Sequence, residues 1–178
     1  KVASTRVHAI AREALSPVLH GMGFRRAKGV TSGWTKAGED RTLSIWIQCE
    51  KYGWSADWGS EFTCELQYSV EPEIGASDIG NRARYCHLLN ADELEAVRSR
   101  NNQIISQLPG FLAGRVVTVT DSEGIECAVV GHRPTAGPYH PGHDNWMHYL
   151  TEEDVVGWGA FLSGIVPTLL ERVRARAR

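Results

Sequence analysis

Apolar residues recur near the start of the chain as Val7, Ile10, Ala11, Ala14, Leu15, Val18 and Leu19, the i, i+3, i+4, i+7 stripe that one face of an amphipathic helix turns to a core. The stripe predicts a helix over 4–20, capped by Ser4 or Thr5, bent in its last turn by Pro17 and ended by Gly21 and Gly23. The period then changes to two. Leu43, Ile45, Ile47 and Cys49 alternate with polar neighbours, and Phe62, Cys64, Leu66, Tyr68 and Val70 alternate with Glu61, Thr63, Glu65, Gln67 and Ser69, as in strands with one face on the core and the other toward water. A strand over Val30–Lys36 joins Thr42–Cys49 through the polar turn 37–41, so the sheet is expected to be antiparallel and covered by helices on one face only.

Helical spacing returns over Asp78–Leu89 and again over Asp92–Leu108, where Leu94, Val97, Ile104, Ile105 and Leu108 share a stripe that Pro109 and Gly110 stop. A second hairpin is predicted from Arg115–Thr120 and Ile125–Val130, followed by a long loop, Gly131–His148. Thr151, with Glu152, Glu153 and Asp154 behind it, opens a last helix running to about Val173. This order of elements is not a βαβ alternation, and it predicts an α+β domain over 1–178 with about five antiparallel strands and a basic tail, 172–178.

With 178 residues the chain removes roughly 70% of its unfolded surface from water. Its 42% hydrophobic and 22% charged residues are ordinary globular values, which excludes global disorder and a polytopic membrane protein. The net charge of −2 supplies no field toward nucleic acid, although 15 of the 19 basic residues are Arg. Local basic elements are Arg82, Arg84, Arg98, Arg100 and the 172–178 tail, and nucleic acid is not an expected partner. The longest apolar stretch, Ala160–Leu170, contains Ser163, Gly164, Pro167 and Thr168 and is too short to span a bilayer, so no membrane partner is expected either. Cys49, Cys64, Cys86 and Cys127 form no paired motif, which excludes a zinc ribbon. Cys49 and Cys64 read as small buried hydrophobes in a reducing cytosol, with a Cys49–Cys64 disulfide as the alternative. A cytoplasmic location is the expectation, and a removed leader stays open because the sequence begins at Lys1.

Gly23-Phe24-Arg25-Arg26 after the opening helix, the strand from Leu43 to Gln48, Phe62-Thr63-Cys64-Glu65-Leu66, and Asn145-Trp146-Met147-His148-Tyr149 leading through Glu153-Asp154 to Trp158 resemble a bacterial family, domain-of-unknown-function family 4304. The resemblance covers about half the chain. It implies a bacterial origin and no particular activity, so it assigns no catalytic role to any residue.

Two segments carry candidate chemistry. The loop Lys51-Tyr52-Gly53-Trp54-Ser55-Ala56-Asp57-Trp58-Gly59 holds three large aromatics between the two best strands, and either folds back over the sheet or forms a platform for a ligand or partner through Lys51, Tyr52, Trp54 and Trp58. The second segment brings His140, His143, Asp144 and His148 within nine positions, with His132 upstream, a ligand set suited to zinc but set on an irregular, proline-containing loop. Phosphate-binding loops, dinucleotide fingerprints, nucleophile elbows and paired-cysteine redox motifs are absent from the sequence. The leading expectation is a non-catalytic domain without cofactor that binds an unidentified protein or small molecule through the aromatic loop. The alternative is a metal-dependent hydrolase built on the histidine loop.

Overall fold

The computed structural model describes residues 1–75, 81–113, 116–120, 126–130, 133–134 and 145–176, the three segments between 116 and 134 as backbone only. Its architecture is α+β. The opening helix α1 (Ser4–Gly21) leads into the short strand β1 (Arg25–Arg26), then β2 (Gly33–Ala37), β3 (Thr42–Cys49) and β4 (Ser60–Ser69). These four form an antiparallel meander with Trp34 opposite Ile45 and Ile45 opposite Leu66. The far side of β4 is shared by two short strands. β5 (Arg82–Arg84) pairs with Glu65–Gln67, and β9 (Met147–Tyr149), from much later in the chain, pairs with Ser60–Phe62.

The stripe read from residues 4–20 is the buried face of α1: Val7, Ile10, Ala11, Leu15 and Leu19 enter the core. Ala3, not Ser4 or Thr5, occupies the cap position, and no side chain caps there. The helix α2 (Ala91–Ile105) begins with a reciprocal capping box between Asn90 and Glu93. A short turn of helix, α3 (Pro109–Leu112), follows it. The last helix, α4 (Glu152–Arg176), buries Val155, Trp158, Leu162, Val166, Leu169 and Val173, and packs with α1 against the Ile45, Cys64 and Leu66 face of the sheet.

The predicted second hairpin forms, as β6 (Val116–Thr120) and β7 (Glu126–Val130), and with β8 (Arg133–Pro134) it makes a separate three-stranded sheet. Other expectations are corrected. The helix expected over Asp78–Leu89 is, where described, strand β5 followed by the 3-10 turn Tyr85–Leu88. Positions 172–176 of the expected tail continue α4, and Arg172 forks onto both carboxylate oxygens of Glu93 while reaching the Leu88 carbonyl at 2.8 Å.

A further correction concerns the polar face of the sheet, which does not meet water. Ser44, Thr63, Glu65, Gln67 and Ser69 are all buried. Glu65, 1% exposed, is neutralised by Arg82 and Arg84 from the neighbouring strand, and those guanidiniums in turn lie over the rings of Trp46 and Trp146. A carboxylate is tolerated at this depth because charge-assisted hydrogen bonds replace its hydration.

Candidate functional site

The aromatic loop between β3 and β4 is only partly a free surface. The Trp54 indole N–H donates to the Leu150 carbonyl at 2.9 Å, and its ring packs on the core. Trp58 is held from three sides. Its backbone N–H donates to Ser55 Oγ at 3.1 Å, its carbonyl accepts from His148 Nε2 at 2.8 Å, and its ring lies against Gly110, where any Cβ would run into the indole. Gly59 takes φ +60° and abuts the Tyr149 carbonyl so closely that a side chain there has no room. Trp54 and Trp58 are both half-buried, and the indole N–H of Trp54 anchors it to Leu150. Tyr52 differs. It is 68% exposed, and the Lys51 ammonium sits 4.7 Å from its ring centre.

His148 belongs to this clamp. Buried at 5% exposure on β9, it gives its Nε2–H to Trp58, since a carbonyl only accepts, and its Nδ1 faces the Glu61 carboxylate at 3.9 Å. Asn101, also buried, holds the same strand from both sides, donating to the Trp146 carbonyl and accepting the His148 N–H, each at 2.9 Å. His140, His143 and Asp144 lie outside the described residues, as does His132. Among the described residues no three His, Cys, Asp or Glu side chains gather into a metal-binding group.

Next to the Lys51–Tyr52 end of the aromatic loop lies an open concavity of about 500 Å³. Its walls are Ser4 and His8 of α1, Gly29–Thr31 of the β1–β2 connection, and the end of β3 with Glu50 and Lys51. It exists because β2 is shorter than β3. Pairing between them stops at Gly33 opposite Trp46, with one further bond from the Ile47 N–H to the Ser32 carbonyl. Since Ile47 bonds toward β2 and Glu50 bonds toward Glu61 of the other neighbour, strand alternation turns the N–H and C=O of Cys49 to the β2 side, past its last residue. Neither group has a hydrogen-bond partner among the described residues.

One wall carries a connected set of polar groups. His8 Nδ1 lies 3.0 Å from the Oγ of Ser32, a fully buried residue, and His8 Nε2 lies 3.6 Å from Cys49 Sγ. Ser32 Oγ donates its one hydrogen to the His8 carbonyl at 3.2 Å and accepts from Arg12 at 3.4 Å. The contact with the ring therefore runs from Nδ1–H to Oγ, which we assign as the tautomer and which leaves the Nε2 lone pair facing the thiol. Burial, helped by the Arg12 and Arg26 charges, lowers the His8 pKa below 6.5, and burial pushes the Cys49 thiol up to about 11. Imidazole and thiol are both neutral at physiological pH.

Cys49, Cys64 and Cys86 are free thiols. Cys64 is fully buried, as its strand phase predicts, whereas Cys49 is half-buried and opens to the concavity. The partnership of His8 and Cys49 spans 41 positions, and no spacing signal announces it. The one hint in the sequence is a histidine beside the apolar stripe of α1. Arg82, Arg84 and Arg100 stand on Trp46, Trp146 and Trp158, and Arg98 reaches Glu95, so the basic residues of the middle segment are engaged within the fold.

No family model, curated protein or solved structure matches the chain. No helix of the described residues is long and apolar enough to cross a membrane.

Proposed function

We propose that this chain is a binding domain for a small molecule bearing a carbonyl or carboxylate group, with the concavity at the end of β3 as the site and Lys51 and Tyr52 at its rim. The observation that carries the reading is the unpaired edge of β3 at Cys49, which turns a backbone N–H donor to a recess whose lining residue Lys51 sits over the exposed Tyr52 ring. Lys51 on the rim, with Arg12 and Arg26 bearing on His8 in the wall, outweighs the single acid Glu50 and favours an electron-rich ligand. Tyr52 supplies area for a flat group to stack on at little cost in side-chain entropy. Trp54 and Trp58, which the sequence groups with Lys51 and Tyr52, contribute by holding the loop in place.

Titrating the 15N-labelled protein with a set of small aromatic carboxylates tests this reading. The amide signals of Thr31, Cys49, Lys51 and Tyr52 are expected to move together and to saturate, and Tyr52→Ala is expected to weaken binding without altering the fold. Shifts that scatter over the surface, or a set of carboxylates that moves none of these signals, would sink the proposal.

A further inference from the structure

The concavity holds more than a ligand needs for binding. A nucleophile, a base aimed at it and a group that fixes the base stand in line. Cys49 Sγ faces His8 Nε2 at 3.6 Å, and the other ring nitrogen is pinned by Ser32, which is itself held by the His8 carbonyl and by Arg12. Thiol chemistry assisted by imidazole needs this order of parts, with the base in turn oriented by a third group. The Cys49 N–H, turned to the open edge of β3, is a donor for an oxygen that gains negative charge beside the sulfur.

We propose that Cys49 is an acyl-accepting nucleophile, with His8 as its general base and Ser32 as a positioning residue, and that its substrates are activated esters or thioesters of small carboxylic acids. In the step, His8 Nε2 takes the thiol proton as Sγ forms a bond to the acyl carbon. The bond from that carbon to the leaving oxygen or sulfur breaks with its electron pair, and the proton on His8 passes to the leaving group. The products are S-acyl Cys49 and an alcohol or thiol, with no oxidant, reductant or further reactant required.

Both partners are neutral at rest, so the thiol reacts as a hydroxyl nucleophile does, by losing its proton during attack rather than before it. The charged and titratable groups facing the pair are Arg12 on α1, Arg26 on β1, Glu50 and Lys51 beyond β3, and Tyr149 on β9, a phenol whose ionisation burial pushes above 10. Burial first, and the two arginines with it, work against protonation of His8 and keep it a base under mildly acidic conditions.

The test uses p-nitrophenyl acetate on the whole chain, with nitrophenolate release followed in time and the acetylated peptide located by mass spectrometry. One acetyl group is expected on Cys49, with Cys64 and Cys86 unlabelled. The rate is expected to rise with a midpoint below pH 6.5 and then to stay level toward pH 9, because it follows deprotonation of His8. His8→Gln is expected to lower the rate about 100-fold, the usual scale of general-base assistance. Absence of label on Cys49 overturns the proposal. So does a rate that climbs tenfold per pH unit through pH 9, the behaviour of a free thiolate, and this reading needs no variant to fold. The inference rests on the concavity being a ligand site, yet the two fail separately. Carboxylates that bind without any acetyl-Cys49 overturn the thiol chemistry alone, and acetyl-Cys49 formed with the expected pH profile, but without carboxylate binding, overturns the carboxylate reading alone.

Discussion

His148 donates its imidazole Nε2–H to the carbonyl of Trp58 at 2.8 Å, tying the three-residue strand β9 to a loop ninety positions earlier in the chain. The same residue's own carbonyl accepts from the Trp158 indole at 2.7 Å, so one histidine links β9, the aromatic loop and α4. Removing the ring leaves the part-buried Trp58 carbonyl without its donor and a void at the foot of the loop. His148→Ala is expected to lower unfolding free energy by about 2–4 kcal/mol in urea melts. A loss under 0.5 kcal/mol would show that the clamp contributes nothing to stability. Because Nε2 is committed to Trp58, added zinc is expected to leave the melting temperature of the wild-type protein unchanged.

The aromatic loop separates into anchors and an exposed tip, and three substitutions tell them apart. Gly110→Ala drives a methyl into the Trp58 indole and is expected to cost about 1–3 kcal/mol, the range of overpacked sites. Trp54→Ala removes a core-packed ring and a hydrogen bond, for a loss of about 3 kcal/mol. Tyr52→Ala is expected to stay within about 0.5 kcal/mol of wild type. Equal losses at Trp54 and Tyr52 in thermal melts would contradict this division.

Long periodic segments carry their own structure, which is why α1, α2, α4, β3 and β4 are legible in the sequence. Short elements made by pairing are not. Arg82–Arg84 becomes strand β5 because Glu65 on β4 draws both arginines to it, and three residues are too few to show a period. Met147–Tyr149 likewise lies inside a stretch that reads as loop, and becomes a strand only against Ser60–Phe62. The buried polar face misleads for the same reason. Alternation tells which residues share a face, but burial of Glu65 depends on cations supplied from elsewhere in the chain. At the site, the aromatic loop is visible as a cluster of large rings, whereas the His8–Cys49 pair depends on where α1 lies relative to the end of β3 and leaves no trace in spacing.

Glu65 between Arg82 and Arg84 gives the sharpest stability test of the polar face. Breaking a buried pair by removing one member leaves uncompensated charge in a poorly hydrated place, and the usual loss is about 3–5 kcal/mol. Arg82 and Arg84 keep about a third of their side-chain surface, 36% and 28%, so part of that charge regains water and the lower end applies. Glu65→Gln is expected to cost about 3 kcal/mol in urea melts. A change below 1 kcal/mol would mean that the pairing makes little net contribution.

The pH dependence of stability involves two groups of the concavity, His8 and Cys49, together with titratable groups elsewhere in the fold. Partial desolvation and nearby arginines lower the folded pKa values of half-buried His8, beside Arg12 and Arg26, and of exposed His87, beside Arg176 and Arg84, below 6.5. The unfolded chain therefore takes up protons first as pH falls, and stability present above about pH 6.5 is lost on the way down through the folded values. Glu93, drawn below 4.5 chiefly by its hydrogen bond from Arg172, adds a further loss at lower pH of the same sign. On the alkaline side the order reverses. Cys49 ionises near 9 when unfolded but only at about 11 when folded, so its contribution is intact below pH 9 and is lost as pH rises toward 11, with buried Cys64 acting in the same direction. Urea midpoints are thus expected to be level between about pH 6.5 and 9 and to fall on both sides. His8→Gln is expected to make the acid limb shallower while leaving the alkaline limb unchanged, and Cys49→Ser to do the converse. If His8→Gln left the slope between pH 6.5 and 5 unaltered, the imidazole would not be held neutral by the fold, and its place as a base beside Cys49 would fall with it.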